Sequence, residues 1–258
     1  MIGDIVNGIG AYWGAWSFAK KHRLLSFFLL PSLISLLLGL AVLYLTYLLS
    51  QYVYAKIDHW LTSGFFESYQ WVESILQWSG SIITALLILL PMMFVFKYLV
   101  IIVNGPLMSP LSEKVEKIVY GSIGGPKFSI KQLGYGIFRG LNFNLRLVFG
   151  ELMLTLLIYL ITIPIAFLTP FILLLIQSYF AGRGNMDYAM ERYYRIQNSL
   201  EFSKRYKGVA IGNGLPFVLL LYVPIIGFML APPLSTIAVT LETLKKIKSP
   251  DNELYPDR

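Results

Sequence analysis

Cysteine is absent from the 258 residues, and with it go disulfides, thiol nucleophiles and cysteine-ligated zinc. Two histidines occur, His22 and His59, in segments that do not obviously meet. A histidine-based metal site or catalytic triad is therefore not expected, and no cofactor is expected. Charge is also scarce: Asp, Glu, Lys and Arg make up 14% of the chain, against roughly 25% in soluble domains, while 56% is hydrophobic. That balance describes an integral membrane protein. Low-complexity and Ser/Pro-rich linkers are missing, so residues 1–244 read as a single helical membrane domain followed by a polar, disordered tail, 245–258. Residues 1–19 are too polar and glycine-rich for the apolar core of a signal peptide. The net charge of +7 is not read as a nucleic-acid footprint, because in a chain this apolar the distribution of charge says more than its sum.

Two uncharged stretches organise the rest. Leu152 to Gly182 has Pro164 and Pro170 near its middle. About 20 apolar residues suffice for a spanning helix, but each proline removes a backbone donor and displaces the residue before it from helical dihedrals. The expectation is a bend between Ile163 and Phe171 with two arms, Leu152 to Ile163 and Phe171 to Ala181, each about half the ~30 Å hydrocarbon thickness. Such arms suit a re-entrant hairpin. Gly208 to Leu241, broken by Pro216, Pro224, Pro232 and Pro233, reads as a second one. Backbone opened at membrane depth survives only where it is packed in protein or lines a wet cavity, so two broken hairpins predict a polar interior.

Along the chain, Tyr12, Trp13, Trp16 and Phe18 precede Lys20, Lys21, His22 and Arg23, a pattern for an amphipathic helix at the membrane interface. Leu24 to Ala55 is uncharged and long enough to span, with Tyr44, Tyr47, Tyr52 and Tyr54 as an aromatic belt. Ser74 to Phe96 is the second span, anchored by Trp71 and Trp78. Asn104, Gly105 and Pro106 are expected to break the apolar run, after which Leu107, Leu111, Val115 and Ile118 mark an amphipathic helix leaving the membrane. Its Glu113 and Glu116, like Asp187 and Glu191, read as solvated helix charges, and Gly124-Gly125-Pro126 reads as a turn. Lys and Arg cluster before the first span, from Lys97 to Arg146, from Arg183 to Lys207 and after Glu242. The segment from Gln51 to Glu73 carries Asp58, Glu67 and Glu73 against Lys56. By the positive-inside rule that loop lies outside and both termini inside, at the cell (inner) membrane.

Several landmarks then fall in order: the aromatic helix ending in Lys20 to Arg23; Ser26-Phe27-Phe28-Leu29-Leu30-Pro31; Gly105-Pro106-Leu107 followed by Ser112-Glu113-Lys114-Val115-Glu116; Met186-Asp187-Tyr188; Leu219 to Pro224; and Ala231-Pro232-Pro233. In order and spacing this resembles the CysZ sulfate permease family, related to the etoposide-induced membrane proteins. The resemblance implies an all-α integral membrane fold with two long transmembrane helices and two half-inserted hairpins. It also implies a homo-oligomer and passive sulfate uptake that feeds cysteine synthesis. In that family a Gly-aliphatic-Arg-Arg motif before the first span holds the anion through backbone amides and guanidinium groups. The matching positions here are Arg23, Leu24, Leu25 and Ser26, of which Leu24 keeps the aliphatic character, while His22 and Arg23 supply nearby charge.

The leading expectation is a transporter or channel for a small inorganic oxyanion, with the bilayer and sulfate as its partners. Its ligand-binding candidates are His22, Arg23, Leu24 and Ser26. Asn104, Arg139, Asn142, Asn144, Arg146, Glu151 and Asn213 are the polar groups placed to line a path. For Arg139 and Arg146 the plainer alternative is snorkelling to the headgroups. A non-transporting scaffold, whose half-inserted hairpins shape the bilayer, is the second reading. An enzyme is the weakest, because no histidine accompanies the paired carboxylates.

Overall fold

The computed structural model describes residues 1–62, 70–121, 130–162 and 167–250. Every regular element among them is an α-helix: α1 (Ile2–Lys21), α2 (Ser26–Thr62), α3 (Gln70–Tyr120), α4 (Ile130–Thr162), α5 (Thr169–Met190), α6 (Ile196–Arg205), α7 (Lys207–Leu221) and α8 (Ile226–Ile247). Four are long and apolar enough to cross a membrane, over Ser26–Ile57, Ser79–Tyr120, Gly136–Thr162 and Ile226–Ile247. The chain divides into two compact units, Met1–Leu36 with Lys97–Arg258, and Leu37–Phe96.

In the smaller unit, parts of α2 and α3 bury Val42, Thr46, Ser50, Thr84, Met93 and Phe96 and turn Leu37, Leu40, Tyr44, Leu48, Ile83, Leu86 and Leu87 outward. An outer surface of that composition matches hydrocarbon. Hydroxyls inside it are satisfied within their own helix, Thr46 donating to the Val42 carbonyl at 2.8 Å and Ser50 to that of Tyr47 at 2.8 Å.

The larger unit is built around α5 and α7, with α1, α4 and α8 packed on them. Small residues let the backbones touch. A Cβ on Gly182 of α5 would sit 1.8 Å from the Ala210 carbonyl oxygen, and one on Gly214 of α7 1.7 Å from that of Ser178. On its other side α7 meets α1 the same way, Gly212 against the Ile5 carbonyl and Gly8 against Gly212. These are small-xxx-small contacts, the device by which apolar helices associate in lipid without a hydrophobic driving force. Thus α1 is more than an interfacial anchor: Gly8, Ala15 and Ala19 are buried against the bundle, while Val6 and Trp13 stay exposed.

The prolines act at fewer places than the sequence suggests. α3 runs unbroken through Asn104, Gly105 and Pro106, and side chains bond carbonyls of the turn before the proline. Tyr188 donates to the Ile101 carbonyl at 2.9 Å and the Asn104 side chain to that of Val100 at 3.0 Å. Pro31, Pro216, Pro232 and Pro233 also lie inside helices, and Ser235 and Thr236 donate to the Pro232 carbonyl at 3.0 and 2.8 Å. The second apex falls where Pro224 stands. There Ile226 donates to the Pro224 carbonyl across Ile225, which is held at φ 64°, ψ −73°, a strained γ-turn for a β-branched residue. Pro170 occupies the first turn of α5, its favoured place, whereas Pro164 lies outside the described residues, as do the Gly124-Gly125-Pro126 turn and residues 63–67 of the Asp58 to Glu67 loop. The arms exceed the short ones expected: α4 has 33 residues and α5 22. α5 continues through Arg183 and Asp187 rather than ending at Ala181, and α8 runs to Ile247 with that side chain buried, so the packed chain extends past Leu244.

Candidate functional site

The loop between α1 and α2 is built by backbone bonds. The Leu24 amide donates to the Ala19 carbonyl at 2.9 Å and the Arg23 amide to that of Lys20 at 3.3 Å. Arg23 sits in the left-handed region at φ 55°, the position that closes a Schellman motif and that glycine fills at least cost. Leu24 and Ala19 are both fully buried, as the motif's apolar pair. α2 begins at once, Phe27 and Phe28 donating to the carbonyls of Leu24 and Leu25. Among the described residues no backbone carbonyl accepts from the amides of Leu25 and Ser26. Arg23, Leu25 and Ser26 are exposed. The half-buried His22 ring lies 4.4 Å from that of Phe18. The accessible polar groups here are thus a guanidinium, a hydroxyl and the amide end of a helix, the arrangement that attracts an anion.

Deeper in the larger unit, charged side chains are inside and paired. Arg139 of α4, fully buried, donates to Asp187 of α5 at 2.8 Å, to Ser199 of α6 at 2.7 Å and to the Tyr194 carbonyl at 2.7 Å. Arg192 binds Glu116 of α3 at 3.1 Å, Ser112 at 3.0 Å and the Tyr188 carbonyl at 2.7 Å. Glu116 also accepts from Tyr193 and meets Lys248 at 3.5 Å, while Thr240 of α8 donates to Ser112 at 2.9 Å. The solvated reading of Glu116 and Asp187 is therefore overturned, and so is the snorkelling reading of Arg139. Buried charges persist when each is paired and most of its remaining hydrogen-bonding capacity met; among the described residues the Arg139 Nε has no partner.

A layer of amides joins the helices. Asn104 donates to Ser35 of α2 at 2.9 Å; Asn185 of α5 donates to Asn213 of α7 at 3.1 Å, and Asn213 to the Ser235 carbonyl of α8 at 3.1 Å. Tyr12 of α1 donates to the Asn213 carbonyl at 2.7 Å. Asn144 donates to Gly140 at 2.9 Å and lies against Gly184 of α5. One acceptor oxygen on each of Asn104, Asn144 and Asn185 has no partner. Further along α4, Glu151 is fully buried and accepts from Lys97 at 2.5 and 2.7 Å and from Tyr98 at 2.5 Å.

Of the path-lining candidates, then, Asn104, Arg139, Asn144, Glu151 and Asn213 are interior. Arg146 is exposed and, among the described residues, donates to Asn142 of its own helix at 2.9 Å. The groups that sequence reasoning left out are the partners: Lys97, Tyr98, Ser112, Glu116, Asn185, Asp187 and Arg192. A signal existed for one of them, since Lys97 is a lone charge in a long apolar run, facing the candidate Glu151. No group of three or more His, Cys, Asp or Glu side chains placed to hold a metal ion occurs among the described residues.

A family model described as sulfate transporter CysZ/etoposide-induced protein 2.4 matches residues 11–232. No curated protein matches the chain.

Proposed function

Because the chain belongs to the sulfate transporter CysZ/etoposide-induced protein 2.4 family, we propose that it is a membrane conduit for a small inorganic oxyanion, with sulfate taken up for cysteine synthesis. The observation that carries this reading is the interior of the larger unit, where ion pairs and amides link α3, α4, α5, α7 and α8 inside an otherwise apolar bundle. Burying so many polar groups in a membrane protein is costly, and they gather where a hydrophilic solute passes. Residues 1–244 act as one membrane domain, since α2 and α3 contribute residues to both compact units. The protein works as a homo-oligomer in the inner membrane, with α4–α5 and α7–α8 as half-inserted hairpins.

The first contact for the anion is the α1–α2 loop. Arg23 offers a planar fork able to pair two oxyanion oxygens, and the Leu25 and Ser26 amides with the Ser26 hydroxyl complete the cradle at the positive end of α2. The test is sulfate flux into proteoliposomes, with sulfite, thiosulfate and chloride as competitors, for wild type and Arg23→Gln. Glutamine keeps the same backbone cost at φ 55° and removes the charge. A charge-assisted hydrogen bond contributes about 1.5 to 3 kcal/mol, so affinity or flux falls at least several-fold. Flux absent from wild type would favour the bilayer-shaping scaffold instead. Flux unchanged in Arg23→Gln would remove this loop from the path.

A further inference from the structure

The Lys97–Tyr98–Glu151 cluster has features that a structural ion pair does not require. Glu151 lies 11 residues from the Thr162 end of the apolar segment Gly136–Thr162, about 16 Å along the helix, and Lys97 lies 18 residues from the nearer end of Ser79–Tyr120. Both are fully or almost fully buried. One carboxylate there takes three short, charge-assisted contacts, two from an ammonium and one from a phenol, spread over both its oxygens. A single salt bridge would balance the charge. A second cation, Arg183, lies within electrostatic range of the Tyr98 hydroxyl, its guanidinium stacked 5.2 Å from the Tyr179 ring. Tyr222, 41% exposed at the second apex, lies within electrostatic range of Glu151. Lys97 and Arg183 thus stand with Glu151 and hydroxyl donors, among the described residues, in long apolar helices where lone charges are expensive.

We infer that Lys97 and Tyr98 form an intramembrane anion-binding site whose resident occupant is the Glu151 carboxylate, and that a small oxyanion binds there when that carboxylate leaves. The argument is one of equivalence. A carboxylate held through two oxygens by an ammonium and a phenol presents a pair of anionic acceptor oxygens, as one edge of a sulfate dianion does. Replacement leaves the donors satisfied, whereas simple removal of Glu151 would strand a buried ammonium. A tethered competitor also prevents the anion from binding too tightly at mid-membrane, which a conducting path requires. The choice of ligand rests on the oxyanion reading above; the site itself rests on the geometry.

The test uses Glu151→Gln, which keeps the side-chain volume and removes the competing charge, and Glu151→Asp, which keeps the charge but shortens its reach by one methylene. Sulfate is titrated calorimetrically into the full-length protein in detergent, each variant first shown to be monodisperse. Glu151→Gln is expected to bind sulfate at least tenfold tighter than wild type, or at an additional site, and Glu151→Asp to fall between. Combining Lys97→Gln with Glu151→Gln abolishes the gain, which a merely structural role for the pair would not produce. Sulfate binding equal to wild type in both single variants, or a gain that survives the loss of Lys97, would overturn the inference. Its failure is separate from that of the transport reading: the titration decides this site, whereas flux through wild-type proteoliposomes decides whether the protein conducts.

Discussion

Glu191 closes α5 beside Asp187, half-buried at the turn toward α6. Burial pushes its carboxyl up to about 7, with the charge of Asp187 adding to the rise against a hydrogen bond from Ser109 and the fields of Arg192 and Arg139. The sign of the consequence follows. A carboxyl whose folded value stands above its unfolded one costs the fold nothing while it is protonated in both states. It costs progressively more as pH climbs through that interval. Thermal unfolding in detergent should therefore show a midpoint that falls between about pH 4.5 and pH 7, and Glu191→Gln should flatten that slope; an unchanged slope would place the titration elsewhere. Little of this was legible from the residues alone. Glu113 and Glu116 at i,i+3 look like any exposed helix pair, and Glu116 is buried where partners distant in the chain meet it, Arg192, 76 positions away, with Tyr193 and Lys248. Lys97 and Glu151 were legible as anomalies, since a lone charge in a long apolar run costs at least about 2.5 to 3.5 kcal/mol at the bilayer centre, but their pairing was not.

Between helices, the contact of α5 with α7 determines how closely the interior polar groups approach. The Asn185–Asn213 bond at 3.1 Å spans the same crossing that Gly182 and Gly214 bring together. Gly182→Ala places a Cβ 1.8 Å from the Ala210 carbonyl oxygen, so the helices must part. The expected loss is about 1–3 kcal/mol or more, together with weakening of that amide bond. Gly14→Ala in α1 meets nothing within 4 Å and should stabilise by roughly 0.5–1 kcal/mol. Melting of the two variants side by side checks both; equal midpoints would mean the crossing yields easily. The uncharged stretches announced two hairpins, and apex and first-turn prolines stand where a proline's missing donor matters. Asn104 to Pro106 misled, because one proline removes a single backbone bond and a helix packed among others carries that loss; α3 runs straight through it, with Tyr188 of α5 bonded to the neighbouring Ile101 carbonyl.

Across the whole molecule, orientation is carried by the cations that remain exposed. From Arg183 to Lys207 those are Arg195, Lys204, Arg205 and Lys207, whereas Arg183 and Arg192 are consumed by interior contacts. Four exposed cations still bias this segment inward. Cysteine labelling is expected to find the Asp58 to Glu67 loop external and both position 193 and the C-terminus internal. Opposite exposure of the last two would mean that α7 and α8 do not return the chain to the side it left. Membrane class, an all-helical fold and the breaks between α4 and α5 and at Pro224 follow from composition and local pattern, because long uncharged runs and prolines act on the backbone within a turn or two of themselves. Which polar residues face inward, and which partners they meet, came only from tertiary structure. Glycine contacts between α5, α7 and α1 determine which helix faces meet, and burial of a charge depends on a partner that lies distant in the chain.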